Sequence, residues 1–122
     1  MESTEGLKLI DKIQKDLDRN GIIVNTIVED LKSLRPYAIE EEDPTLTKVI
    51  RLTYEHIQEN KNFEIPIPED EEIDEGIELV KIEVSDETKV ESLQYLMSLM
   101  RDAQKKANRV DLMAYRDALM EF

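Results

Sequence analysis

Six carboxylates stand in seven residues at Glu69-Asp70-Glu71-Glu72-Ile73-Asp74-Glu75, the densest chemical feature of this chain. Carboxylates at that density can hold a hard divalent cation such as Ca²⁺ or Mg²⁺ through oxygen ligands. They can also present a localised field to a basic partner, as a docking surface or as a mimic of phosphate charge. A structural account competes with both, because acids on a hairpin loop blunt an exposed sheet edge. The spacing does not favour the metal. Counting from Asp70, the sixth position of a calcium-loop pattern is Glu75 rather than glycine, and the twelfth is Lys81 rather than glutamate.

His56 is the single histidine and the one side chain of the sequence whose ordinary pKa suits proton transfer at neutral pH. Glu55 and Glu59 are near it in sequence, and a His-x-x-Glu pair would share a helical face. A di-iron bundle would need paired Glu-x-x-His motifs on two helices, which this chain lacks. Beside Ile57, His56 reads as a residue on the boundary of an apolar stripe. One histidine allows at most one serine or threonine nucleophile with a base. Gly6, Gly21 and Gly76 are too few for a phosphate-cradling loop, and no Gly-x-Ser-x-Gly elbow occurs. Carboxylate pairs for glycoside chemistry exist in any chain this acidic, but the aromatic platforms for sugars do not. The reading is of a protein that is not an enzyme and has no cofactor.

The elements that carry these residues read as mainly helical. Ser3 or Thr4 caps a first helix with Leu7, Ile10, Ile13 and Leu17 on one face, stopped by Asn20-Gly21. Val24, Ile27, Val28, Leu31 and Leu34 predict a second helix ending at Arg35, because Pro36 disfavours helical geometry in the residue before it. Asp43-Pro44 starts a third, with Leu46, Val49, Ile50, Tyr54 and Ile57 as its stripe. The acids 40–43 then precede or open that helix, where its dipole favours them.

From Asn62 the period becomes two. Phe63, Ile65 and Ile67 alternate with Glu64, Pro66 and Pro68, which predicts an edge strand, and Gly76–Val84 predicts its partner. Ser85 or Asp86 caps a last helical region. It carries Val90, Leu93, Leu96, Met97 and Met100, then Val110, Met113, Leu119 and Met120. A break near Asn108 would divide it, and one bent helix or two both fit the pattern. The expectation is a single domain, a compact four- to five-helix bundle with a small inserted β-hairpin: a three-helix half at 1–61, the acidic hairpin at 62–84, and helices at 85–122.

Charge is concentrated within this frame. Glu64 to Glu91 holds twelve acids against Lys81 and Lys89, and Glu40 to Asp43 holds four more, within a net charge of −13. That acidity argues against direct binding of nucleic acid or anionic lipid, which need clustered Lys and Arg. The absence of cysteine excludes disulfides and thiolate chemistry. Met1 to Gly6 has neither the basic nor the apolar region of a secretory signal, and no apolar run could span a bilayer, so a cytoplasmic protein is expected. The functional expectation is a protein-binding or regulatory module offering Glu69, Asp70, Glu71, Glu72, Asp74 and Glu75 to a basic partner. The alternatives are a structural subunit, such as a homodimer joined through Leu96, Met97, Met100, Met113 and Met120, and a carboxylate-bound divalent-metal protein.

Overall fold

The computed structural model describes residues 1–68 and 86–122. They form α1 (Thr4–Asn20), α2 (Val24–Glu40), α3 (Pro44–Asn60), α4 (Asp86–Arg101) and α5 (Lys106–Glu121). Each helix packs chiefly against two others, in the closed order α1–α2–α3–α5–α4 and back to α1. Ile10, Leu31, Leu46, Ile50, Leu93, Leu96 and Leu112 point into the ring and are fully buried. The mainly helical expectation therefore holds.

Local chemistry explains both ends of α1 and of α3. Ser3 caps α1, its Oγ accepting the Gly6 N–H at 3.2 Å. Gly21 ends it with φ at +70° and ψ at −154°, a backbone region that essentially only glycine tolerates. Asp43 caps α3 by accepting the Leu46 N–H at 3.1 Å, and Lys61 closes that helix in the left-handed conformation. The N-terminal ammonium of Met1 donates to the Met100 and Arg101 carbonyls at 3.1 and 3.2 Å, where the α4 dipole favours a cation.

One expectation about α2 is corrected. The helix does not end at Arg35; Pro36 lies inside it, and it runs on to Glu40. An interior proline costs about 3 kcal/mol through a lost hydrogen bond and a clash with the preceding turn. Tertiary contacts outweigh that preference. Ala38 is fully buried, and the Tyr37 Cβ lies near the first turn of α1 at Gly6. The Glu41 carboxylate accepts the Glu2 and Ser3 N–H groups at 2.9 and 3.2 Å, tying the end of α2 to the start of α1. Consequently Glu40 and Glu41 belong to the end of α2 and not to the opening of α3.

Residues 63–68 are not in a strand and have no strand partner among the described residues. Phe63 and Ile65 do point inward, as the alternation predicts, while Ile67 is 38% exposed. Side chains take the place of a ladder. His56 Nε2 accepts the Glu64 N–H at 3.0 Å, and Ser92 Oγ donates to the Ile65 carbonyl at 2.6 Å. Pro66 and Pro68 have no N–H to offer to a neighbouring strand. The other strand of the expected hairpin, Gly76–Val84, lies outside the described residues.

The last region is two helices. The break comes at residues 102–105, ahead of Asn108, whose Nδ2 donates back to the Asp102 carbonyl at 3.1 Å. Arg109 then grips Asp43 with both terminal nitrogens at 2.6 and 3.1 Å, joining the first turn of α5 to the cap of α3.

Candidate functional site

The six acids Glu69, Asp70, Glu71, Glu72, Asp74 and Glu75 lie outside the described residues. The methionine-rich set divides. Leu96, Met97 and Met100 are fully buried in the core of this one chain, engaged with α4's own neighbours. Met113 and Met120 are 43% and 58% exposed on α5, together with Val110.

His56 is more deeply buried than a boundary residue. Its ring meets Phe63 and Phe122 edge-on, at centroid distances of 5.6 and 4.6 Å. Because Nε2 accepts an N–H from the backbone, the neutral ring carries its proton on Nδ1. Burial holds its pKa below 6.5, against the opposing pull of the Glu64 and Glu59 carboxylates. Its lone pair is engaged in holding residues 63–65 against α3.

Ser92 is likewise engaged. Its Oγ donates to Ile65 and lies 2.9 Å from the Tyr115 hydroxyl, which also donates to the Ser92 carbonyl at 3.0 Å. Burial pushes the Tyr115 phenol pKa well up, so it stays protonated. Among the described residues, no three His, Asp or Glu side chains group as a metal site would need.

Two surface hollows differ in what their charges do. Between α1 and α2, Lys12 bridges Asp30 at 2.7 Å and Asp16 at 3.0 Å, and its pKa is raised by those bonds. The single cation there is held by two carboxylates. Between α2 and α3 a more open groove of about 460 Å³ is lined by Arg35, Lys48 and Arg51, with Ile39 and Pro44. No ion pair or hydrogen bond engages those three cations among the described residues. The Arg35 Nε is buried with no acceptor. Glu42 and Asp43 also line the groove, but Asp43 is held by Arg109. Beside it, Lys32 sits over the Tyr54 ring at 5.7 Å.

This groove is not among the sites expected from the sequence, where the acids are the denser feature. The signal was available: Lys48 and Arg51 are three apart on the face of α3 away from its apolar stripe. Ile39 stands one turn after Arg35 and is 51% exposed.

Compared with models of known protein families, with curated proteins and with solved structures, the chain matches none of them. No helix among the described residues is long and apolar enough to cross a membrane.

Proposed function

We propose that this chain is a non-enzymatic protein-binding module whose acidic stretch Glu69–Glu75 docks on a basic surface of a protein partner. The observation that carries the reading is the placement of charge: residues 69–85 hold eight acids against Lys81, about half of the net −13 in a seventh of the chain. A field confined in this way selects partners and speeds their encounter. The engagement of His56 and Ser92 in structural hydrogen bonds supports the non-enzymatic part. The test is a pull-down at low and high salt with the natural chain and with a variant carrying Gln or Asn at the six acids. Capture of a basic protein should be lost in the variant and weakened by salt, since exposed charge pairs are screened. Capture indifferent to both would overturn the reading.

A second reading, a homodimer, is favoured by one observation: Val110, Met113 and Met120 are large, exposed and all on α5. Dimers are the commonest symmetric assemblies and bury such faces. Light scattering on Met113→Glu/Met120→Glu should then give the 14.2 kDa protomer alone while the natural chain gives twice that mass.

A further inference from the structure

We infer that the groove between α2 and α3 receives the acidic stretch Glu69–Glu75 of a second copy of this chain, so that two copies join reciprocally. The inference rests on the binding reading above and names the basic surface: it is the chain's own.

The chain has a surplus of acids. With 29 acids for 16 lysines and arginines, any cation here has abundant partners within its own chain. Lys12, Lys89, Arg101 and Arg109 have taken them. Among the described residues Arg35, Lys48 and Arg51 have not, although all three are half-buried and line one groove. The hollow between α1 and α2 gathers one cation, Lys12. Guanidinium groups in such a position suit carboxylates, which they grip through two parallel hydrogen bonds.

The match goes beyond sign. The acidic stretch contains a single apolar residue, Ile73, with acids on both sides of it in sequence. The groove contains a large exposed apolar residue, Ile39, with Arg35 one turn before it and Lys48 and Arg51 on the facing helix. An apolar contact ringed by charge pairs is the usual anatomy of a small interface. Each copy carries one groove and one stretch, so a reciprocal pair engages both twice and closes with two-fold symmetry.

Salt cannot decide the matter, because it screens both the pairs and the general repulsion between two chains of charge −13. Mutual charge reversal can. One variant carries Arg35→Glu, Lys48→Glu and Arg51→Glu; the other carries Glu69→Lys, Glu71→Lys, Glu72→Lys and Asp74→Lys. In sedimentation velocity the natural chain should reach twice its 14.2 kDa mass, and each variant alone should fall to the protomer. Mixed in equal amounts, the two should recover the doubled mass, since one contact is then restored with opposite sign and the other is the natural one. Circular dichroism checks that each variant is folded, and Lys48→Glu/Arg51→Glu serves if reversal of the partly buried Arg35 unfolds the chain.

A natural chain that stays a protomer, or a dimer that survives both reversals, overturns the inference. So does a dimer abolished by Met113→Glu/Met120→Glu and untouched by the groove reversals. If the natural chain is a protomer whose six acids still govern capture of a basic protein, the inference falls and the binding reading stands. If the acids govern neither, both fall.

Discussion

The imidazole Nε2 of His56 accepts the backbone N–H of Glu64 at 3.0 Å, so one histidine holds the extended residues after α3 against that helix. Protonation would turn this acceptor into a donor facing a donor. The folded-state pKa lies below the unfolded value of 6.5, so between the two the unfolded chain binds more protons. Stability is therefore full above pH 6.5 and is lost as pH falls from 6.5 through the folded value. Urea unfolding across this window should show the fall, and His56→Gln should flatten it. An unchanged slope in that variant would remove His56 as the cause.

The Ser92–Tyr115 pair predicts a coupled loss. Ser92→Ala leaves the Ile65 carbonyl without its donor, and Tyr115→Phe removes a second hydrogen bond from the Ser92 carbonyl, which keeps its place in the α4 ladder. Ser92→Ala should destabilise the protein by about 1–3 kcal/mol, the cost of a buried unsatisfied polar group, and Tyr115→Phe by about 0.5–1.5 kcal/mol, the net worth of one hydrogen bond. The double variant should lose less than the sum of the two, measured by a denaturant double-mutant cycle, because the groups share a network.

Asp43 has two duties that substitution can separate. Asp43→Asn keeps a capping oxygen for Leu46 and loses the charge held by Arg109; Asp43→Ala loses both. The alanine variant should cost about 1–2 kcal/mol and the asparagine variant less. Burial pushes the Asp43 carboxyl up, but Arg109 and the Leu46 N–H outweigh it and bring the pKa below 3.8. Its contribution is thus present above pH 3.8 and lost as pH falls through the folded value, which acid titration of Arg109→Ala against the natural chain would reveal.

Pro36 should be a site of gain. It is exposed, lies inside α2 and offers no N–H to the Lys32 carbonyl one turn back. Pro36→Ala restores that hydrogen bond, and the benefit exceeds the loss from a more flexible unfolded chain of about 1 kcal/mol. Thermal melting should show a higher midpoint. A lower one would mean that the proline geometry is needed to seat Tyr37 and Ala38.

The methionines should divide by burial rather than by type. Met97→Ala or Met100→Ala opens a cavity in the core and should cost about 2–5 kcal/mol. Met113→Ala and Met120→Ala on α5 should change stability of the protomer by less than about 0.5 kcal/mol.

What the sequence made legible follows the range of the forces involved. Ser3, Gly21 and Asp43-Pro44 act within one turn of themselves, so the boundaries they set were readable. The run through Pro36 was not, because the contacts that carry it come from the residues that open α1, 38 and 39 positions away. The same holds for residues 63–68. Their alternation was real, but the groups that take up their backbone hydrogen bonds sit on His56 and Ser92 rather than on a neighbouring strand. The α2–α3 groove needed the two helices to be brought side by side before Arg35, Lys48 and Arg51 became a cluster.

The order in which the helices close their ring has a consequence for how the chain acquires its fold. The α2–α3 hairpin uses only residues 24–60 and makes the most extensive of the helix pairings, so it can form from local contacts as a nucleus. The α1–α4 seam is different: it is fastened by Gln94 on the Gln14 carbonyl, Arg101 on Asp11 and Met100 on the Met1 ammonium, partners 80 to 99 residues apart. During synthesis the α1–α4 seam cannot close until α4 has left the ribosome. The late step of folding is the arrival of α4, and a chain halted before it is a hairpin with an open apolar flank.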